Sequence, residues 1–316
     1  MGTGEQSATP TPRFPFLGPG VAGVASFLAF AALLALPVMG ILVAVLAPLP
    51  LVHLASGGRP SIVGWGWVAV VLAGFGLVSG AGAMGVVLAG YLMVAAWPAV
   101  SAELWARRRW ATGRWTALLA AVPLVSSSLL LLALASPGSP VDLVQQTLVP
   151  AGQEGFGRWS TLFPMTGSEA EELVRWSSTL VAYLVPALVT LYVVAVGLWL
   201  RRRLPLVGFP VGSEPFCDYR SEEWLPAAFV AGALGWVFLP GAGKWLAGNL
   251  LVVVVGLYFL QGVAIILFHL GRRFGENRWI RLAVVLFGLQ LPVAVVLATL
   301  GLFDTFVALR RGERRE

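Results

Sequence analysis

Charge is what this sequence has least of. Only 11% of its 316 residues are Asp, Glu, Lys or Arg, while 58% are hydrophobic. A soluble domain carries about 25% charged residues, so the surface that a water-facing globule needs is missing. Cysteine is nearly absent as well. Cys217 stands alone, which excludes an intrachain disulfide, and only His53 and His269 could join it at a metal, which excludes a structural zinc site. Motifs for chemistry are lacking too: there is no GxxxxGK[ST], no HExxH and no GxSxG. "GAGKW" at 241–245 has neither the spacing nor the Ser/Thr of a phosphate loop. The chain reads as non-enzymatic and without a cofactor, and any energy from ATP would come from another subunit.

What is present is length of apolar run. Stretches of eighteen or more apolar residues recur between residues 20 and 302, each long enough to cross about 30 Å of hydrocarbon. They are continuously apolar instead of alternating every second residue, so they read as helices and not as barrel strands. The fold class expected is all-α: a polytopic transmembrane helical bundle of eight or nine spans, multi-pass in the bacterial inner (plasma) membrane. The net charge of +6 would invite a nucleic-acid reading in a soluble chain. Here the arginines cluster at the ends of apolar runs, where positive-inside bias and anionic lipid account for them. Membrane lipids, not nucleic acid, are the partners this pattern implies.

Residues 1–19, rich in Gly, Pro and Thr, read as a disordered tail. The membrane domain follows over 20–303. Its first run is twice the length of a span and is interrupted at Pro37 and Gly40, giving either two short helices or one kinked helix. Spans are expected at 62–79, 80–98 and 115–136. A polar segment, 137–168, reads as an extracytoplasmic loop. Ser168 and Glu171 form a capping box that opens a long helix containing Pro186 and stopped by Arg201–Arg203. The last spans are expected at 224–239, 249–270 and 282–300. Basic clusters at 107–114, 201–220 and 272–281 share the cytoplasmic side. The basic tail, 304–316, then falls one span beyond a cytoplasmic loop, so either the tail is external or one apolar segment is re-entrant.

Few polar side chains interrupt these runs. Gln261 lies eleven residues from Arg272, about 16 Å of helix, and Gln290 lies nine residues from Arg281, about 14 Å. Antiparallel neighbours would bring the two amides to one level, with Tyr258 on the Gln261 face. Two readings stay open. The amides could bond each other as interhelical glue, or Tyr258, Gln261 and Gln290 could line a cavity for a small ligand. Asn249, at the mouth of its helix, fits a cap or a ligand contact. Apart from Asp304 at the exit of the last span, no carboxylate is expected at depth, which argues against a proton relay.

"LRRRLP" after a span containing Pro186, then "GNLLVVVVGLYFLQGVAIILFHL" with Asn249, Gln261 and Gly262, then "LGLFDTFVALR" with Gly301, Asp304 and Arg310, resemble the YybS-like family of uncharacterised bacterial membrane proteins, the domain of unknown function 2232. That family is distantly similar to the substrate-binding S components of energy-coupling-factor vitamin transporters. The resemblance implies a helical bundle with a small-molecule pocket, a transmembrane partner subunit and ATPases. The function expected is a small-molecule or lipid-binding transporter subunit. The alternative is a membrane scaffold in envelope or division machinery.

Overall fold

A computed structural model of the chain describes residues 18–35, 37–66, 68–69, 81–135, 138–159, 167–207, 209, 215–275, 277–307 and 309. Most of the N-terminal tail, residues 70–79 of the span expected at 62–79 and the arginines of the basic tail lie outside them. The described residues are helical with no strand. The chain divides into two compact units, Met1–Ala111 with Val193–Ser213, and Thr112–Tyr192 with Glu214–Glu316.

In the first unit, α1 (Pro19–Ala35) is followed at once by α2 (Pro37–Ala44). Gly40 lies against the backbone of Ala32 and Leu33. Residues eight apart along one straight helix would be about 12 Å apart in rise, so α2 doubles back on α1. The first apolar run is broken at Pro37 and holds three helical segments, of which the last two, over Met39–Ser56, form one helix long enough to span a membrane. Then come α3 (Pro48–Ser56) and α4 (Ala81–Tyr91), which passes through a π turn (Leu92–Ala96) into α5 (Trp97–Arg108). Pro98 supplies the reason for that turn: it has no N–H for the ladder, and its ring crowds the carbonyl one turn back. Tyr91 donates or accepts one buried bond with Ser26 at 3.0 Å, and the Phe27 and Phe30 rings meet its ring edge-on.

Glu103 is buried in this unit although it opens the basic stretch "ELWARRRW". One carboxylate oxygen accepts from the Ser61 backbone N–H at 3.0 Å and from its hydroxyl at 2.6 Å. The other accepts from Arg107 Nε at 2.9 Å. The carboxylate thus sits at the start of the helical stretch 61–66, where free N–H groups favour an anion. Arg107 balances the charge, so it does more than mark a membrane side. Arg201 lies 5.1 Å over the Trp105 ring, whose Nε1 donates to the Trp110 carbonyl.

The second unit opens with α6 (Thr112–Ala135) and α7 (Pro140–Trp159). The polar segment expected as a loop therefore contains a helix. Ser139 caps it by accepting from the Val141 N–H, Pro140 suits a first turn, and Gln145 donates to Thr179 on the next helix. That helix, α8 (Gly167–Arg201), begins beside Ser168 and ends at the first arginine of "LRRRLP". A connector follows, and then α9 (Leu225–Phe238), α10 (Gly241–Phe274), α11 (Arg278–Gly288) and α12 (Leu291–Val307).

By length and composition, five described helices can cross a membrane. The α11–α12 pair, bent by 104° at Leu289–Gln290, makes a sixth if it is one span, and two further apolar helices, Pro19–Leu34 and Leu225–Phe238, are shorter. The bend has a local cause. Gly288 and Pro292 bracket it, and proline cannot continue a ladder from the preceding turn.

Candidate functional site

The polar groups of the second unit are organised along α10. Its first half pairs with α9 as a close antiparallel hairpin. A methyl on Gly235 would stand 2.8 Å from the Ala247 Cβ, and one on Gly232 would stand 3.3 Å from the Leu251 nitrogen. These small residues bring the two backbones together.

Asn249 does not cap α10; it repairs α8. Pro186 removes one N–H from the α8 ladder and forces the next turn open. In an unbroken helix the Ala187 N–H would donate to the Tyr183 carbonyl. Instead the Ala187 N–H donates to Asn249 Oδ1 at 3.0 Å, and Asn249 Nδ2 donates to the Tyr183 carbonyl at 2.9 Å. The side-chain amide is inserted into the gap as a surrogate peptide group. Nδ2 also donates to the Trp245 carbonyl, and Trp245 Nε1 donates to the Tyr183 carbonyl. Asn249 itself is wholly buried.

Gln261 lies twelve residues further along, about 18 Å of helix, and serves another face. Its Oε1 accepts both the N–H of Ser221, at 3.2 Å, and the Ser221 hydroxyl. Its Nε2 donates to Asp304 Oδ2 on α12 at 2.9 Å. Gln261 and Asp304 are 2% and 5% exposed, so a carboxylate is held among apolar helices by an amide from one helix and, through it, a serine from the connector. Close approach of α10 and α12 makes this reachable: Gly262 lies on the Leu297 carbonyl and Gly301 on the Tyr258 carbonyl. Gly301 and Asp304 are three residues apart and share the face turned to α10. Tyr258 is buried with its ring edge-on to Phe229, and its hydroxyl has no hydrogen-bond partner among the described residues.

Gln290 does not join this group. A methyl on Gly288 would stand 3.6 Å from the Phe259 ring, so the level expected from counting residues is nearly met. The bend turns Gln290 outward, however, and it is exposed. Gln261 takes Ser221 and Asp304 in its place. Of the four residues singled out from sequence, Gln261 bonds Ser221 and Asp304, Tyr258 lies one turn away on α10 with its ring against Phe229, Asn249 holds the break in α8, and Gln290 is exposed. Ser221 and Asp304 were missed as partners. The legible signal was Gly301 followed by Asp304 at helical spacing in an otherwise apolar run.

The connector reaches Gln261 because it is pinned at its other side. Gly113 on α6 lies against the Arg220 carbonyl. The neighbouring Tyr219 is buried, stacked on Phe216 with ring centroids 5.7 Å apart. Burial pushes its phenol up to about 12, a hydrogen bond with Thr116 pulls the other way, and the charge of Glu222 adds to the rise. An unfolded phenol ionises near pH 10. Between about pH 10 and 12 the folded chain therefore holds a proton that the unfolded chain has lost. Stability contributed by this group is complete below that window and falls as pH rises through it. Tyr219→Phe should flatten the alkaline stability slope by about one proton; an unchanged slope in alkaline unfolding would contradict this assignment.

A family model described as predicted membrane protein (DUF2232) matches residues 23–305. No curated protein and no solved structure matches the chain.

Proposed function

Starting from a chain that belongs to the DUF2232 family of predicted membrane proteins, we propose that it is a non-enzymatic subunit of the bacterial inner membrane that binds a small molecule or a lipid. In this reading it works, like the S components that its family distantly resembles, with a transmembrane partner and ATPases. Five helices are long and apolar enough to cross a membrane, or six if the bent pair is one span; in this reading the two shorter apolar helices are further crossings.

One observation carries the reading: a carboxylate and the amide that bonds it are buried together in an apolar helical unit, with the buried phenol of Tyr258 one turn away along α10. An ionisable side chain at such a place is costly to keep and is a functional-site hypothesis by default. Asp304 with Gln261 offers an acceptor and a donor already oriented by packing, and the Tyr258 hydroxyl retains hydrogen-bonding capacity. Such a set suits a small polar molecule or a lipid headgroup. It has no positioned base beside a nucleophile, so it suits binding better than turnover.

Native mass spectrometry on protein extracted gently from its own membranes tests this. The expected result is a stoichiometric small molecule or lipid, lost at least tenfold in Asp304→Asn and Gln261→Leu while the folded yield stays measurable. A ligand-free particle carrying envelope or division proteins would favour the scaffold instead. Equal retention in wild type and both variants would place the ligand elsewhere.

A further inference from the structure

The net charge of the chain is unevenly held. The first unit contains eight arginines against two glutamates, a surplus of +6, while the second contains thirteen basic residues against thirteen acidic ones. The surplus of the first unit therefore equals the +6 of the whole chain. In the second unit Arg220 stands among Asp218, Glu222 and Glu223, and Glu276 lies between Arg273 and Arg278.

Folding gathers most of that surplus at one end of the first unit. Arg59 lies two residues before Ser61, which bonds Glu103, and Arg107 bonds the same carboxylate. Arg108 shares a face of α5 with Trp105, and the guanidinium of Arg201 lies over the Trp105 ring. Arg202 and Arg203 follow directly, with Arg203 5.5 Å over the Trp199 ring. Arg59, Arg107, Arg108, Arg109, Arg202 and Arg203 are all exposed. Glu103 is the only acidic side chain among the described residues of this unit, and Ser61 and Arg107 already engage it. Loop-charge bias orients spans without asking that the charges meet. Here three separate stretches of sequence bring them together, against their mutual repulsion.

Position says where the compensating anion comes from. The apolar spans Gly85–Arg108 and Glu171–Arg201 both end in this cluster, which sets the guanidinium groups at the level of lipid headgroups. Leu206, three residues after Arg203, is 68% exposed. A soluble anion has no use for that apolar neighbour, whereas a phospholipid offers phosphate to the arginines and an acyl chain to the leucine. Guanidinium forks match phosphate oxygens in geometry as well as charge.

We infer that this end of the first unit is a binding site for anionic phospholipid, with Arg108 and Arg202 on the headgroup phosphate and Leu206 against the acyl chain. The ligand-binding reading of Asp304 is not involved, because that carboxylate belongs to the second unit.

The test uses the full chain in nanodiscs of phosphatidylglycerol and phosphatidylethanolamine in equal parts, with the retained lipid counted by native mass spectrometry. The wild type should keep phosphatidylglycerol in preference. Arg108→Gln with Arg202→Gln should lower the retained phosphatidylglycerol about thirtyfold, the effect of two such charges at an anionic surface. Arg108→Lys with Arg202→Lys, which preserves the charge, should keep most of it. Arg272→Gln with Arg273→Gln removes the same charge from the exposed end of α10 and should leave retention unchanged, as should Asp304→Asn. Four results would each overturn the inference: equal retention of both lipids by the wild type, the same loss from both glutamine pairs, displacement of the lipid by added inorganic phosphate, or loss in Asp304→Asn with none in Arg108→Gln with Arg202→Gln. The third would assign the arginines to a soluble anion, and the fourth would move the lipid to the second unit.

Discussion

Replacing Asn249 by Leu is expected to destabilise the chain by about 1–3 kcal/mol, through the orphaned Ala187 N–H more than through any lost packing. An interhelical side-chain bond in a membrane averages only about 0.6 kcal/mol. This case differs because Asn249 satisfies backbone groups that Pro186 keeps from each other. Tyr183 would retain the Trp245 indole as a donor to its carbonyl, while Ala187 would retain nothing comparable. Pro186→Ala supplies the decisive control. It restores an N–H and removes the ring that props the turn open, so the α8 ladder can close on itself. The double variant Pro186→Ala with Asn249→Leu should therefore be considerably more stable than the sum of the two single effects predicts. Thermal unfolding of the four proteins in one detergent measures this coupling. Strict additivity would mean that Asn249 is not filling the gap.

The second large effect is expected at the crossing of α10 and α12. A methyl on Gly262 would fall on the Leu297 carbonyl, and one on Gly301 on the Tyr258 carbonyl. Both obstacles are backbone, which cannot swing aside as a side chain does. Gly262→Ala and Gly301→Ala should each cost at least the 1–3 kcal/mol typical of overpacking, and the valines more. Spreading the helices would also draw Asp304 away from Gln261. Gly288→Ala makes the internal comparison, since its methyl would meet only the Leu297 and Phe259 side chains, at 3.0 and 3.6 Å. Denaturant unfolding should rank Gly288→Ala well below the other two. If all three alanines proved equally mild, the close crossing would not be a feature of the folded protein.

Much of the helical plan was legible in the sequence, because continuous apolar runs and arginine clusters are strong one-dimensional signals. The long helix ending at Arg201 and the helix Leu225–Phe238 are where hydropathy places them, while the helix expected at 249–270 begins earlier, at Gly241. The fold-back of α2 was half visible, as Pro37 and Gly40. Two features were hidden for physical reasons. A polar segment with a good cap can be helical whatever its hydropathy, which is why Pro140–Trp159 did not stand out. And counting residues from a charged end gives the level of a side chain but not its azimuth. Gln261 and Gln290 came close in level and lie on different faces, because Gly288 and Pro292 interrupt a run that hydropathy alone reads as continuous.

At the site, the residue types were better signals than the pairings. A glutamine in "VVVVGLYFLQGVAIIL" announces a need for hydrogen bonds without naming who meets it. The partners came from 40 residues upstream and 43 downstream, separations at which one sequence carries almost no pairing signal. Glu103 illustrates the same blindness. Beside a run of arginines nothing in the sequence singles it out, and it is a buried helix anchor.

That downstream partner has a consequence for biosynthesis. When Gln261 is added to the chain, Ser221 already exists, but Asp304 is still 43 residues from being made, roughly 2–9 s at about 5–20 residues per second. Through that interval the Gln261 Nε2 group waits for its acceptor, and α10 has no α12 to press against. The final helix is therefore the clasp of the second unit, and a nascent chain cut short before Asp304 should be recognised as unfinished by membrane proteases while the first unit is already complete.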